Sequence, residues 1–536
     1  MHLKILKIRR KDRVLEYASI VHSYREGHKV KQRVLKNLGR IRSPEDLRKF
    51  NEILESMKRE EKVLITPIKD IRVLNSLDFG IIYTVEKLWD AYGISPVLDE
   101  TFNGGKFEFD ATKIVELLVT RRLQKPSSDL STHEWIQKEA FTVGKVIKRQ
   151  HVYRTLDQLI KRKEKIEVGI FRELQRSLSL KADLVFYDLT SSYFEGEGPE
   201  LAEHGKSRDH RPDLKQFVLA LALIDGIPVF HEVFKGSTAD KTTLKHAVKK
   251  LREHFEIERV IFVADRGLFS GENLDFLDEK DYEYIIATKR RRDKEVEELM
   301  LAPIETRKRV FAKEVKREGN RRYILCFNRD TEREQREHLR EVRRSLKQKL
   351  RKLAESYLRK GPGKKPSQES IIRKAFETLG KHKRLFNVKF DRGLKFSLNR
   401  KDWEYENAIA GRFLIVTTSD LVAKRVMESY KELCSIERVF REIKSFVDIR
   451  PINHSKDRRV KAHVFECILA YLTEAMIGKL VPYQSARKTI LELKRIKVTE
   501  MAIGDERMFL VREMKNSDLK IFNSLGVEPP RTHTEM

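Results

Sequence analysis

Cysteine is scarce in this chain of 536 residues: Cys326, Cys434 and Cys467 are the only three, far apart in sequence. Without a CxxC pair they exclude a disulfide framework and a cysteine-ligated zinc site. They are expected as buried thiols in a reducing compartment. Long apolar runs are missing as well. No stretch reaches the roughly 18 residues that a membrane-spanning helix needs, and the N-terminus carries no secretory hydrophobic region. A cytoplasmic, nucleoid-associated protein without membrane contact is the expectation. Acidic residues are outnumbered: Asp plus Glu is 82 against 111 Lys plus Arg, leaving a formal charge of +29. Such a surplus concentrates polyanions near the surface, so nucleic acid is the leading partner. A ribosome-associated or simply soluble basic protein is the plainer alternative. No internal repeat is evident, and the length suits two to four domains.

Taken in order, residues 1–43 read as an N-terminal β-hairpin. VLEYASIVHSY and VKQRVLKNL are joined by REGHK, and Gly39 closes the unit. Arg25, His28, Lys29, Lys31, Arg33 and Lys36 would track a phosphate backbone or simply stay solvated. Residues 44–178 read as a helical domain. It opens with a charged spacer helix (44–61) and continues through IIYTVEKLWDAY, ATKIVELLVTRRLQ, VYRTLDQLIKR and EVGIFRELQRSL. Trp89 and Trp135 are read as packing residues. Arg121, Arg122, Lys145, Lys148 and Arg149 are read as an outer basic set able to meet a DNA end. No clear helix-turn-helix is found.

Residues 179–289 read as the first part of an α/β core. LVFY is a continuous apolar run, as expected of a strand buried on both faces, and it ends in Asp188-Leu-Thr190-Ser191-Ser192. KQFVLALALI and IPVFHEVF follow, joined by the turn pair Asp225-Gly226. A helix is expected over 244–254. The strand VIFVA then ends in Asp265-Arg266-Gly267, and YEYIIAT (282–288) is one more strand. Residues 290–410 read as an insertion. It holds a hairpin (RVFAKEVKREGNRRYILCF) and a long basic helix striped by Leu339, Val342, Leu346, Leu350, Leu353 and Tyr357. That helix is expected to pack within its own domain or against 368–380. The core resumes over 411–482, with the strand LIVTT, the segment RPINH and an apolar helix from about 459 to 480. Residues 483–536 form a C-terminal tail and a candidate dimerisation segment.

The stretch YKELCSIERVFREIK, Tyr430 to Lys444, carries Leu433, Ile436, Val439, Phe440 and Ile443 at helical spacing. One amphipathic helix is expected. Tyr430, Glu437 and Lys444, seven residues apart, would fall close to one face. Phosphodiester cleavage needs an activated water and a stabilised leaving oxygen, which two Mg²⁺ ions about 4 Å apart supply. Such ions want carboxylate oxygens. Asp188 and Asp265, at the ends of adjacent buried strands, can meet at one sheet edge, and Glu437 can join them from a helix beside it. The alternative is that both aspartates cap loops and Glu437 pairs with Arg441, an i,i+4 contact. Gly205-Lys206-Ser207 is not a phosphate loop, because Glu200 stands where the motif needs glycine. His204 and His210 lack further ligands at metal spacing and are read as residues of a solvated loop facing DNA. Asp240 is read as a helix N-cap.

On YDLTS, VADRG and the 430–444 helix, the sequence resembles the DDE-type transposases of bacterial insertion sequences. The group's signature is Y-(2)-R-(3)-E-(6)-K. Tyr430, Glu437 and Lys444 match it, and Leu433 occupies the arginine position, for which Arg441 is a candidate substitute. RPINH and His463 echo the family's trailing segment. The likeness implies an α/β fold: a ribonuclease-H-like mixed sheet flanked by helices, a helical N-terminal domain, and a β-rich and helical insertion before the glutamate. It implies catalytic and metal-binding roles for Asp188, Asp265 and Glu437, with Mg²⁺ (two ions) or Mn²⁺ in its place. It also implies DNA contacts by Tyr430 and Lys444. The expected partners are double-stranded DNA, as terminal inverted repeats and target, and a second copy of the chain in a synaptic homodimer. A ribonuclease-H-like nuclease without strand transfer and a non-catalytic DNA-binding derivative remain as alternatives.

Overall fold

The computed structural model describes all residues except 11–12, 27–28, 59–70, 104–107, 143–145, 181–182, 256–260, 266, 268–269, 289–293, 306, 359–366, 504–505, 532 and 535–536. The chain forms two compact units, residues 1–75 with 499–510 and 533–536, and residues 76–498 with 511–532.

In the first unit, β1 (His2–Arg10), β2 (Arg13–Glu26) and β3 (Lys29–Ile41) form an antiparallel sheet in that order. The hairpin expected from sequence is β2–β3, and β1 adds a third strand to it. Helix α1 (Pro44–Lys58) is no spacer: Ile53 and Leu54 pack with Ile20 of the sheet in a small core. Lys31, Arg33 and Lys36 are exposed, whereas His28 and the side chains of Arg25 and Lys29 lie outside the described residues. The strand β4 (Ile71–Asp78) belongs to a second sheet, described below.

The second unit begins with a helical layer: α2 (Gly80–Ala91), α3 (Ile94–Phe102), α4 (Ala111–Gln124), α5 (Asp129–Lys138), α6 (Arg149–Lys161) and α7 (Lys163–Ser177). Trp89 and Trp135 are buried in it, as the stripes require. Then come β5 (Leu184–Tyr193), β6 (Gln216–Ile224), β7 (Ile227–Lys235), α8 (Asp240–Phe255), β8 (Ile261–Ala264), α9 (Gly271–Glu279), β9 (Glu283–Ala287), α10 (Lys294–Met300), β10 (Val310–Glu318) and β11 (Arg321–Asn328). Positive φ at Asp225 and Gly226 makes the tight β6–β7 turn, the conformation this residue pair tolerates. Next are α11 (Arg329–Leu358), α12 (Gln368–Leu379), β12 (Phe386–Phe390), β13 (Leu394–Leu398), α13 (Arg400–Ala408), β14 (Arg412–Thr417), α14 (Ala423–Glu432), α15 (Cys434–Ser445), α16 (Asp457–Leu480) and α17 (Ala486–Lys494).

Eight strands make one mixed sheet in the order β10-β11-β14-β9-β8-β5-β6-β7. The pairs β5–β8 and β8–β9 are parallel and the others antiparallel. The β10–β11 hairpin, read from sequence as part of the insertion, instead forms this sheet's edge, because β11 finds its partner in β14. What remains between β11 and β14 carries its own core. Leu346 and Leu350 of α11 pack there with Ile371, Ala375 and Leu379 of α12 and with Phe386 and Leu394. That core answers the helical-pair expectation. α16 is buried along most of its length, lying against β7 on one side and α4 and α6 on the other. It is the hydrophobic bridge between sheet and helical layer.

The tail adds β15 (Lys497–Ile503), β16 (Glu506–Val511), α18 (Asn516–Leu525) and β17 (His533–Thr534). In the first unit, β17, β16, β15 and β4 form a four-stranded sheet in that order. In the second, α18 packs on α16 and α17. No helix among the described residues is long and apolar enough to cross a membrane.

Candidate functional site

β5 runs past the expected end at Tyr187 and continues to Tyr193, so Asp188 stands inside a strand. On one side β6 pairs it from Phe186 to Tyr193, with Asp188 opposite Leu221. On the other side β8 stops at Ala264, the partner of Tyr187. Asp265 is therefore the first residue beyond β8, next in register to Asp188. Parallel neighbours lie about 4.8 Å apart, so the early end of β8 opens a groove where both carboxylates emerge.

Helices α14 and α15 close this groove. The expected single helix breaks at Leu433, where Leu433 N donates to the Tyr430 carbonyl (3.2 Å) and Ile436 N to the Leu433 carbonyl (3.0 Å), a tightened i→i+3 turn. Leu433 is itself buried, a packing residue at the position where the resembling family carries arginine. Ile436, Val439, Phe440 and Ile443 are buried as the stripe predicts. On α14 the Tyr430 hydroxyl donates to Asp265 Oδ1 at 3.1 Å. From α15, Glu437, Arg441 and Lys444 line the groove.

The groove encloses about 460 Å³ and is lined by Asp188, Asp209, Asp240, Asp265 and Glu437 among the acids, with Lys206, Arg208, Arg441 and Lys444 facing them. Sequence reasoning missed Arg208, Asp209 and Arg450, dismissed Lys206 with a false phosphate loop, and misread Asp240. Asp240 is no N-cap: its carboxylate accepts from Lys206 Nζ (3.0 Å) and Arg208 (2.6 Å). Those two cations hold it below the ordinary carboxylate range although burial works against them. A Cβ built on Gly267 would stand 3.7 Å from Asp240 Oδ2 and 3.9 Å from Asp265 Oδ2, so the two carboxylates face one point. Asp209 accepts from Lys444 Nζ at 2.8 Å and has Arg450 at 3.8 Å. Burial lowers the Lys444 ammonium against the pull of Asp209.

The loop carrying Lys206, Arg208 and Asp209 is pinned by close backbone crossing. A side chain on Gly205 would strike the Gly236 carbonyl, and one on Gly236 would strike those of Glu203 and Gln216. Arg208 N also donates to Ser191 Oγ at 2.8 Å. The signal for this cluster was the mixed-charge run KSRD (206–209), which becomes legible only once the loop is known to fold over β5. His204 and His210 are exposed on that loop.

Two of the five groove acids are thus matched to cations. Asp188, Asp265 and Glu437 have no ion-pair partner among the described residues, so the Glu437–Arg441 pair of the alternative reading is not made. Burial, then repulsion from Asp265 and Glu437, pushes the Asp188 carboxyl up to about 7, against donation by Leu189 N and the pull of Arg208. Three unmatched carboxylates repelling one another fit a divalent-cation site.

A second polar cluster joins residues of α4, α5 and α16 to His454 of the RPINH segment. Arg121 and Arg122, expected outside the helical layer, are buried. Arg121 lies over the Trp135 ring at 5.2 Å. Arg122 donates to Glu466 Oε1 (2.7 Å), His463 Nδ1 (3.1 Å) and the Asp448 carbonyl (3.3 Å). Lys148 and Arg149 are exposed, and Lys145 lies outside the described residues. Asp129, His454 and His463 gather ligand-type atoms within 4.8 Å of one another. They do not fit a metal, because Nδ1 of His463 accepts from Arg122 while its Nε2 donates to the Ile449 carbonyl at 3.0 Å. No lone pair is left, and burial beside Arg122 drives that imidazole down to about 3, hence neutral. Cys326 and Cys467 are buried as expected, but Cys434, at the start of α15, is exposed.

The family model described as IS1634 family transposase, N-terminal domain, matches residues 3–65. The transposase DDE domain matches residues 180–473, more than half of the chain. No curated protein matches the sequence. Among solved structures, a piggyBac transposase synaptic complex with hairpin DNA is 10% identical over 78% of this chain and 77% of that chain, with a TM-score of 0.35. A Mos1 transposase paired-end complex is 15% identical over 34% of this chain and 60% of that chain, with a TM-score of 0.15. Overlaps this slight carry no argument about the fold. The two family matches suffice: the chain belongs to the DDE-type insertion-sequence transposases.

Proposed function

We propose that this transposase binds the terminal inverted repeats of its element, cuts the DNA strand at their ends and joins the freed 3′-hydroxyl to target DNA, using Asp188, Asp265 and Glu437 as its metal-binding carboxylates. One observation carries the reading: in a groove where the other acids are matched to cations, these three have no ion-pair partner among the described residues. Two divalent ions, when bound, supply the Lewis acidity that activates the attacking oxygen and stabilises the departing one. The chain's own residues do the rest. Tyr430 orients the Asp265 carboxylate through its hydroxyl. Arg441 and Lys444 offer positive charge to the phosphate beside the scissile bond. The central strands, three antiparallel and then two parallel ones reached through helices, support a ribonuclease-H-like core.

The test uses a duplex carrying an element end, with and without Mg²⁺. Asp188→Asn, Asp265→Asn and Glu437→Gln should each abolish cleavage and leave end binding nearly intact. Mg²⁺ should raise the melting temperature of the parent but of none of the three variants, because a ligand stabilises only the state that binds it. Pre-cut ends with a plasmid should yield joined products. Cleavage without joining would reduce the protein to a nuclease, and cleavage at the parent rate by any variant would remove that residue from the set.

A further inference from the structure

Away from the groove, an open pocket of about 430 Å³ is lined by Leu130, Arg149, Gln150, Tyr153, Arg154 and Arg459. Three guanidinium groups meet there around one aromatic ring. Asp157 is the carboxylate beside them, and it is already engaged: it takes Arg458 at 3.0 Å and Arg459 at 3.3 Å. This pairing holds Arg459 over the Tyr153 ring, 4.8 Å from its centroid. Arg149 and Arg154 are exposed and have no ion-pair partner among the described residues. Arg149 and Gln150 also open α6, whose first turn holds no acidic residue to quench the positive end of its dipole. Excess guanidinium charge, donors in planar forks and a concave, open shape suit a phosphate group.

The pocket is also tethered to the groove. Arg450 reaches Asp209 in the groove and lies over Tyr193 at 4.2 Å. Four residues later His454 stands edge-on to Tyr153 at 6.4 Å and pairs with Asp129 at 2.8 Å. Four residues extend no further than about 14 Å between their Cα atoms, about four base pairs along a duplex axis, and the side chains at either end lengthen that reach.

We infer that this pocket is a second DNA subsite, which grips a backbone phosphate a few nucleotides from the scissile bond. The inference rests on the function proposed above. Its test is equilibrium binding of the full chain to an element-end duplex and to a random-sequence duplex, in Ca²⁺ to prevent cutting, across a range of salt. Arg149→Ala/Arg154→Ala removes the two unpaired guanidiniums and leaves Arg459, which Asp157 holds. Without that grip on one phosphate, affinity should fall roughly fivefold at about 0.15 M salt, and the slope of log K against log salt should flatten by about 0.9. The loss should be equal on both duplexes, and Arg149→Lys/Arg154→Lys should restore most of it. Neutral methylphosphonates placed one at a time over the nearest eight or so phosphates should reveal a single position whose penalty vanishes in the alanine variant. Parent-like affinity and slope in a folded alanine variant would overturn the subsite, as would a loss confined to the element end. If the unaltered chain neither binds nor cuts element ends, the functional reading itself fails, and the subsite falls with it.

Discussion

Arg122 offers the sharpest check on the reasoning about the interior. The residue is 3% exposed, and its guanidinium donates to Glu466, His463 and the Asp448 carbonyl. Glu466 and Asp129 are buried beside it, and each keeps one carboxylate oxygen with no donor. Arg122→Met would leave two buried carboxyls facing each other with only His454 to answer them. Breaking a buried pair from one side costs about 3–5 kcal/mol, whereas replacing both partners with apolar groups of similar size is near neutral or even stabilising. Arg122→Met should therefore be strongly destabilised, and Arg122→Met/Glu466→Leu should recover most of the loss. The assay is urea unfolding followed by tryptophan fluorescence. Trp89 and Trp135 are buried in the same helical layer as Arg122, and a Trp403→Phe background removes the third tryptophan, which packs in the inserted segment. A single variant within about 1 kcal/mol of the parent, the value of a surface pair, would refute the argument. A double variant as unstable as the sum of both singles would refute it equally.

Other outcomes follow from single residues. Burial and the nearby Glu442 push the Glu474 carboxyl up to about 7 from 4.5, against the pull of Arg487. The folded chain then holds a proton that the unfolded chain releases. Stability should fall as pH rises from about 4.5 to 7, by at most roughly 3 kcal/mol, and Glu474→Gln should flatten that slope in unfolding measured at several pH values. Leu350 is fully enclosed in the core of the inserted segment. Leu350→Ala should cost that core about 2–5 kcal/mol and speed amide exchange over 329–408 while leaving the eight-stranded sheet protected; equal loss of protection in both would deny the insertion its separate core. In the native protein a thiol reagent should modify Cys434 rapidly and leave Cys326 and Cys467 silent, since burial raises both of those thiols and pushes that of Cys467 up to about 12. Three fast-reacting thiols would contradict the packing around β11 and α16.

Periodicity alone located α2, α4, α6 and α7 of the helical layer, the stripe on α11 and the buried face of α15, because each is a local pattern that a neighbouring surface has only to accept, whereas the short α3 and α5 went unread. The buried strands and their turn at Asp225-Gly226 were legible for the same reason, whereas Asp188, Asp265 and Glu437 were singled out by strand ends, spacing and the family resemblance. What the sequence could not determine is who faces whom. Arg122 reads as a surface cation until α16 brings Glu466 and His463 against it. Asp240 and Asp209 read as helix and loop residues until the crossing at Gly205 and Gly236 folds KSRD over β5. The β10–β11 hairpin reads as an insertion until β14 returns from far along the chain to pair with it. Charge pairing and strand order depend on contacts between residues distant in sequence, and no local pattern encodes those. Local propensity chose the elements of this protein, and long-range packing chose which groove carboxylates meet a cation and which meet none among the described residues.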